Sequence, residues 1–299
     1  MVWKYIKELK NEGYCFDSVK NKGYRLLQGN DVLNSFEILD KLGHKTSWKD
    51  VRCYEKVDST NSLAKRIAAE ELGEKVVIVA ECQISGRGRL GRNWSSIPGK
   101  GIWMSIILRP KLLPKDVQII TLAAGVAVVR SIKQVTGIST GIKWPNDIVV
   151  NGQKICGILT EMSTEMDSVN YIIVGIGLNV LHEEEDFPEE IREAAGSLKM
   201  AAGDKVLPQR SVLLSNILAE FDIWYEKIAF GFTQDIISEW KNHSVTLGKQ
   251  VRVININEEF RGKAIDIASD GSLVVDCGNG TVHEVSSGEI SIRGMKGYV

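Results

Sequence analysis

The chain has 299 residues, with 37 Lys and Arg against 38 Asp and Glu, a net charge of −1, and 43% hydrophobic residues. That ordinary, near-neutral composition excludes collagen-like and disordered classes and gives no overall pull toward nucleic acid or an anionic membrane. The length predicts two or three domains rather than one core. Five cysteines (Cys15, Cys53, Cys82, Cys156, Cys277) are scattered and odd in number, without C-x-x-C. This predicts reduced thiols in a cytoplasmic protein and no structural zinc. The four histidines (His44, His182, His243, His283) lie too far apart to suggest a metal cluster. No apolar run approaches the roughly 18 residues of a membrane span, and no signal peptide opens the chain, so no membrane contact is expected.

Residues 2–11 have helical spacing, with Trp3, Ile6 and Leu9 on one face, and Gly13 ends the helix. Residues 14–27 predict a short hairpin turning near Asn21–Gly23. Residues 1–27 carry a net charge of +3. A basic helix followed by a basic hairpin matches the last helix and wing of a winged helix-turn-helix, and equally a plain surface helix. Residues 30–50 form a connector with a helix over Val32–Leu42. Residues 51–57 alternate as a strand. Asp58-Ser59-Thr60-Asn61 then opens a helix over Ser62–Leu72, ended by Gly73. Ser59 and Thr60 serve as N-caps on the plain reading; hydroxyls and amides at a helix start also bind polar ligands.

An apolar strand, Lys75–Ala80, leads into residues 86–92 (GRGRLGR), where Arg87, Arg89 and Arg92 alternate with Gly86, Gly88 and Gly91. Glycine permits close backbone approach to a ligand. Arginine stays charged and offers a planar fork of donors for phosphates and carboxylates. The stretch predicts an exposed, mobile anion clamp, and Trp94 beyond it could stack on a ring. The G-x-G-x-x-G match here is not a dinucleotide fingerprint, because residues 92–100 are turn formers and no carboxylate follows at 105–113. Gly99-Lys100 is followed by Gly101, which excludes a phosphate-binding G-K-[ST] loop.

Ile102–Leu108 predicts a buried strand and Lys115–Val135 a central core helix closed by Gly137. Ile142–Val150 and Gln153–Met162 predict two strands joined at Asn151-Gly152, a type I′ hairpin signal. Pro145 should bend the first of them. Lys154, at a hairpin end, is on its own a solvated lysine. Tyr171–Val180 predicts another buried strand, in which Gly175 and Gly177 face the same side. Those glycines leave room for something flat, or for close packing on a helix. Residues 182–206 read as an acidic surface loop, and Val212–Phe230 and Thr233–Asn242 as amphipathic helices. Short strands at 250–256, 262–269, 272–277 and 281–285 predict a small β-barrel.

Taken together, residues 58–61 (DSTN), 86–92 (GRGRLGR), 143–147 (KWPND), 154–159 (KICGIL), 175–179 (GIGLN) and 288–293 (GEISIR) occur in the order seen in biotin protein ligases. The chain resembles bacterial members of the bifunctional ligase/repressor type over about residues 1–295. Lipoate-class acyltransferases share the central fold, but the arginine–glycine clamp followed by tryptophan is not expected there.

The resemblance implies an α+β fold. It places a partial winged helix at 1–29, a connector at 30–50, a mixed-sheet catalytic domain like the class II aminoacyl-tRNA synthetase core at 51–244, and an SH3-like barrel at 245–299. It implies ATP-dependent biotin ligation: biotin and MgATP give biotinyl-5′-AMP, which acylates a lysine of biotin carboxyl carrier protein, an acetyl-CoA carboxylase subunit. The catalytic residues implied are Arg87, Arg89 and Lys154. Ser59, Thr60, Asn61, Gln83, Gly86, Arg87, Gly88, Arg89, Lys154, Gly157 and Gly177 would bind biotin. Arg92, Trp94, Lys143, Asn146, Asp147, Asn179 and Arg293 would bind the adenylate or ATP, with Asp147 in the Mg²⁺ region. A homodimer through the central sheets is also implied. Met1 falls where the recognition helix of the repressor members begins, so operator DNA and repression of a biotin operon are expected only if further helices precede it.

Overall fold

The computed structural model describes residues 2–11, 16–19, 23–26, 31–43, 46–165, 168–254, 259–278, 280–287 and 291–294. Helix α1 (Val2–Asn11) precedes a hairpin of β1 (Phe16–Val19) and β2 (Gly23–Leu26), in which Phe16 faces Leu26. Gly13 and the turn residues Asn21 and Lys22 lie outside the described residues. Helix α2 (Ser35–Leu42) starts three residues later than its apolar spacing suggested. Asn34 sets that start by accepting from the Glu37 N–H at 2.8 Å.

Strand β3 (Asp50–Val57), helix α3 (Thr60–Glu70) and strand β4 (Val76–Gln83) form a parallel βαβ unit. A small ribbon of β5 (Gly86–Arg87) and β6 (Asn93–Trp94) follows, then β7 (Gly101–Leu108) and α4 (Gln118–Thr136). Next come β8 (Gly141–Lys143), β9 (Asp147–Val150), β10 (Gln153–Glu165) and β11 (Ser168–Asn179). Helices α5 (Leu198–Ala202), α6 (Arg210–Ala229) and α7 (Thr233–Asn242) complete the central part.

Among the described residues the central sheet has seven strands in the order β3-β4-β7-β11-β10-β9-β8, and only the β3–β4 pair is parallel. Successive side chains alternate between its faces. Val77 and Val79 of β4, with Ile102, Met104 and Ile106 of β7, join the large core under α2, α4, α6 and α7. Val76, Ile78, Ile107 and Ile173 point the other way, onto Ala64, Ile67 and Ala68 of α3. Helix α3 packs on only part of that second face.

Three expectations are corrected. The single strand over 142–150 is two strands, because the chain reverses at Trp144–Asn146 and pairs Lys143 with Asp147. Proline has no N–H to donate there, and the bend it imposes becomes a full turn. The stretch Pro114–Thr136 is, by length and hydropathy, long and apolar enough to cross a membrane. However, 72% of its most apolar window is buried inside the fold, as in a core helix. The acidic stretch after residue 181 is not a plain surface loop: it contains α5 and buries Phe187, Ala195 and Leu198.

The predicted hairpin turn at Asn151-Gly152 has positive φ at both residues, 51° and 79°. The C-terminal part is an antiparallel sheet of β12 (Gln250–Ile254), β13 (Glu259–Ile267), β14 (Leu273–Asp276), β15 (Val282–Val285) and β16 (Ser291–Gly294). Its order is β15-β14-β13-β12-β16, so the last strand returns to lie beside the first.

Candidate active site

The uncovered part of the α3 face has a floor built by the strand period. On β11 the residues facing that side after Ile173 are Gly175 and Gly177, and Gly177 pairs directly with Gly157 of β10. Side chains are therefore missing on two adjacent strands at one level. The ring of Trp94 lies on this floor: a Cβ on Gly177 would be 2.7 Å from Trp94 Cε2, and one on Gly157 would be 2.8 Å from Trp94 Cζ3. Gly175 instead meets the start of α3, where an added Cβ would lie 2.1 Å from Asn61 Oδ1. Both readings of the glycine pair hold, one at each position.

The start of α3 is a buried polar cluster. Ser59, Thr60 and Asn61 are each under 5% exposed. The Asn61 amide donates to Glu161 Oε2 at 2.8 Å, and Lys65 holds the other Glu161 oxygen at 2.6 Å. Ser105, a lone hydroxyl in the apolar strand β7, lies 2.6 Å from Asn61 Oδ1 and 2.8 Å from Thr60 Oγ1. A serine has one proton, so donating it to the amide leaves Thr60 to use its own proton elsewhere. Gln83 Oε1 accepts from the Thr60 N–H at 2.9 Å and sits 3.1 Å from its hydroxyl. Gln83 Nε2 donates to Ser96 Oγ at 3.0 Å, so Gln83 ties the helix start to the segment after the clamp.

The clamp is a short hydrogen-bonded ribbon, and most of it is exposed, as expected. The Gly88 N–H donates to Arg92 O at 2.7 Å, and Leu90 and Gly91 turn with φ of 55° and 72°. Gly86 is required at the stem, because a Cβ there would lie 2.4 Å from Trp94 O. Arg87 and Arg92 are exposed, whereas Arg89 is fastened. It donates to Asn146 Oδ1 at 3.2 Å and to the carbonyl of Ser287 in the C-terminal part. Asn146 in turn donates to Ile158 O at 2.7 Å.

Opposite the clamp, Lys154 is not a solvated lysine. Its Nζ lies 2.6 Å from Asp147 Oδ1 and 5.2 Å from the centre of the Trp94 ring. These groups enclose a cavity of about 450 Å³. Residues 182–195 close one side of it with His182, Asp186, Phe187 and Ile191. His182 stacks on Phe187 with ring centres 5.3 Å apart. Burial pushes the His182 imidazole down to about 4, so it is neutral at pH 7. Burial alone would raise the Asp186 carboxyl, but its ion pair with Lys100 holds it below the usual range.

Residues 53–179 match the model of the biotin/lipoate A/B protein ligase family, and residues 246–293 match that of the biotin protein ligase C-terminal domain. The bifunctional ligase/repressor BirA of Bacillus subtilis is 39% identical over 292 residues, covering 97% of this chain and 89% of that protein. The biotin–[acetyl-CoA-carboxylase] ligase of Mycobacterium tuberculosis is 32% identical over 255 residues, covering 83% and 91%. The solved biotin protein ligase from Aquifex aeolicus, in complex with biotin and ATP, matches with a TM-score of 0.69 and 29% identity, covering 83% of this chain and 100% of that one.

The chain belongs to the biotin protein ligase family.

In this ligase nearly every residue expected from the sequence lines this cavity: Ser59, Thr60, Asn61, Gln83, Arg87, Gly88, Arg89, Arg92, Trp94, Lys143, Asn146, Asp147, Lys154, Gly157, Gly177 and Asn179. Gly86 supports it from the clamp stem, and the side chain of Arg293 lies outside the described ones. Sequence reasoning missed Ser105, Glu161 and the wall at 182–195. A lone hydroxyl inside an apolar strand was the signal for Ser105. For the wall it was Phe187 and Ile191 interrupting an acidic run.

No group of three or more His, Cys, Asp or Glu among the described residues could hold a metal ion. Asp147 is one carboxylate already paired to Lys154, which does not make a protein-built Mg²⁺ site. Magnesium usually keeps several waters and rests on substrate phosphates, so it would arrive as the nucleotide complex MgATP.

Proposed function

We propose that the protein joins biotin to the AMP part of ATP, releasing pyrophosphate, and then to a protein lysine. In the first step a biotin carboxylate oxygen attacks the α-phosphorus of MgATP. The bond from that phosphorus to the bridging oxygen breaks, giving biotinyl-5′-AMP and pyrophosphate. In the second, a lysine amine attacks the acyl carbon, AMP leaves with the acyl–oxygen electron pair, and the amine loses a proton. The observation that carries this reading is the meeting of three elements around one cavity: the arginine clamp, the α3 start, and Lys154 on the glycine floor.

The chemistry needs alignment and charge neutralisation more than a general base. The biotin end would rest at Ser59, Thr60, Asn61 and Gln83. Lys154 and Arg89 would face the reacting carboxylate and phosphate. Trp94 and the 182–195 wall would border the adenylate, with Arg87 and Arg92 folding over it. The ribbon over the cavity would also keep water from a reactive acyl-adenylate.

The lysine belongs, on this reading, to biotin carboxyl carrier protein of acetyl-CoA carboxylase, and the ligase works in the cytoplasm, with a homodimer through the central sheets. Residues 51–244 form the catalytic domain and 245–299 an SH3-like barrel, which the return of β16 beside β12 supports. The test is incubation with biotin, MgATP and an acceptor domain, read by mass spectrometry. One biotinylated lysine is expected; none would overturn the proposal. Activation of lipoate but not biotin would favour the lipoate class.

A second reading, DNA contact, is favoured by the order of α1 and the β1–β2 hairpin, which on this reading are the last helix and wing of a partial winged helix. On this second reading alone, a gel shift on the biotin operon promoter at low salt, with biotin and ATP present, shows a band. A blank lane would reject it for this chain.

A further inference from the structure

Arg210 lies far along the chain from every motif above, yet its side chain is only 1% exposed. It begins α6 and carries a guanidinium whose five N–H groups all have acceptors. Nη1 donates to Glu81 Oε2 at 3.0 Å and to the Gly101 carbonyl at 2.8 Å. Nη2 donates to Glu81 Oε1 at 3.1 Å and to the Asp31 carbonyl. Nε donates to Asp31 Oδ2 at 3.2 Å, and the Arg210 backbone N–H donates to Asp31 Oδ1 at 2.8 Å.

Glu81 is equally saturated. Besides Arg210, its carboxylate accepts from the Leu33 N–H at 2.8 Å and the Gly99 N–H at 3.2 Å. Glu81 stands two residues before Gln83, on the strand that enters the clamp. Gly99 and Gly101 stand on the segment that leaves it. One buried cation thus grips both stems of the clamp, residues 81–83 and 99–101. It also grips residues 31–33 of the connector.

We propose that Arg210 is a positioning residue for the clamp: it fixes the spacing of the two stems so that Gln83 on one side, and Trp94 with Arg89 on the other, meet one ligand. The Asp31 carboxylate sets the guanidinium plane, so the connector is part of the same device. A lysine cannot replace the arginine, because it has three donors and no plane. The role deepens the ligase reading and rests on it only for the ligand-bound part of the test.

Removing Arg210 would bury the Glu81 carboxylate unpaired and could unfold the chain. The milder variant is Asp31→Asn, because Asp31 is one-quarter exposed and lines no part of the cavity. Its control is Asp222→Asn. Asp222 is also buried and paired, to Lys75 and Ser47, but touches neither stem. Three quantities are measured on the full chain: the melting temperature, the rate of trypsin cutting at Arg87, Arg89 and Arg92, and the release rate of biotinyl-AMP formed from biotin and MgATP.

For Asp31→Asn, loss of a charged hydrogen bond should speed both clamp cutting and adenylate release by about tenfold. The KM for both substrates should rise more than kcat falls. Asp222→Asn, measured below its own melting temperature, should cut and release like the wild type. Equal rates in Asp31→Asn and wild type would overturn the proposal, and so would losses that simply track melting temperature in both variants. If the wild type forms no adenylate, the ligase reading falls, while the cutting rates without ligand still decide the stem mechanism.

Discussion

The glycine floor supports a sharp prediction for Gly177→Ala. The added methyl carbon would sit 2.7 Å from Trp94 Cε2 and 2.8 Å from Nε1. Carbon atoms rest at about 3.5–4.0 Å, so the indole must lift by roughly 1 Å. Trp94 is mounted on a ribbon joined by only two residue pairs, Gly86 with Trp94 and Arg87 with Asn93. Lifting that ribbon disturbs little of the core, so the cost should sit at the low end of the overpacking range, about 1 kcal/mol. That corresponds to a melting shift of no more than about 2–4 °C for a chain of this size. The same 1 Å at the reacting groups is worth about a hundredfold in rate. Pyrophosphate release from biotin and MgATP should therefore fall about a hundredfold with melting nearly unchanged. A fall in melting of 8 °C or more would show that the floor serves the core and not the ligand, and unchanged turnover would show that Trp94 is not part of the site.

Gly175→Ala, two residues away, should behave oppositely. Its methyl would strike Asn61, which Ser105 and Glu161 hold in place, so about 1–3 kcal/mol of stability should go, seen as a lower urea midpoint. Arg89→Ala should shorten the lifetime of bound adenylate about tenfold, since a charged hydrogen bond is worth roughly 1.5–3 kcal/mol. It should also cost a few degrees without ligand, because Arg89 already bonds Asn146 and Ser287; no loss at all would show the anchor to be idle. Lys154→Gln should abolish pyrophosphate release while the fold survives in circular dichroism; retained turnover would remove Lys154 from the chemistry. His182 has a folded-state value near 4 against about 6.5 unfolded, so the unfolded chain binds the extra proton between those pH values. Stability should accordingly fall as pH drops from about 6.5 to 4, by up to about 3 kcal/mol. His182→Phe should flatten that limb in urea melts, and an unchanged slope would refute the assignment.

Much of this molecule was legible in its residues, and the failures have common physical causes. Strands such as β7 and β11 announce themselves because apolar runs bounded by turn formers have few other solutions. The motifs near the cavity were visible as residue types, but their partners were not. Nothing local tells that Lys154 will face Asp147 or that Arg89 will reach Ser287, since those contacts depend on how distant segments fold together. Pro145 signalled a bend, while the full reversal there depends on Lys143 finding Asp147 across the turn. The wall at 182–195 was hidden by its charge: seven acidic residues between Glu183 and Glu193 masked Phe187 and Ile191. Arg210 was invisible because an arginine at a helix start normally lies in solvent.

The turn at Trp144–Asn146 belongs to two parts of the molecule at once. Its tryptophan N–H groups bond Thr246 and Gly271, and its asparagine bonds Arg89, which also reaches Ser287. A chain cut after residue 244 would thus lose the bonds that anchor one bank of the reaction chamber. The two halves are better regarded as a single vessel with a seam than as an engine towing a trailer.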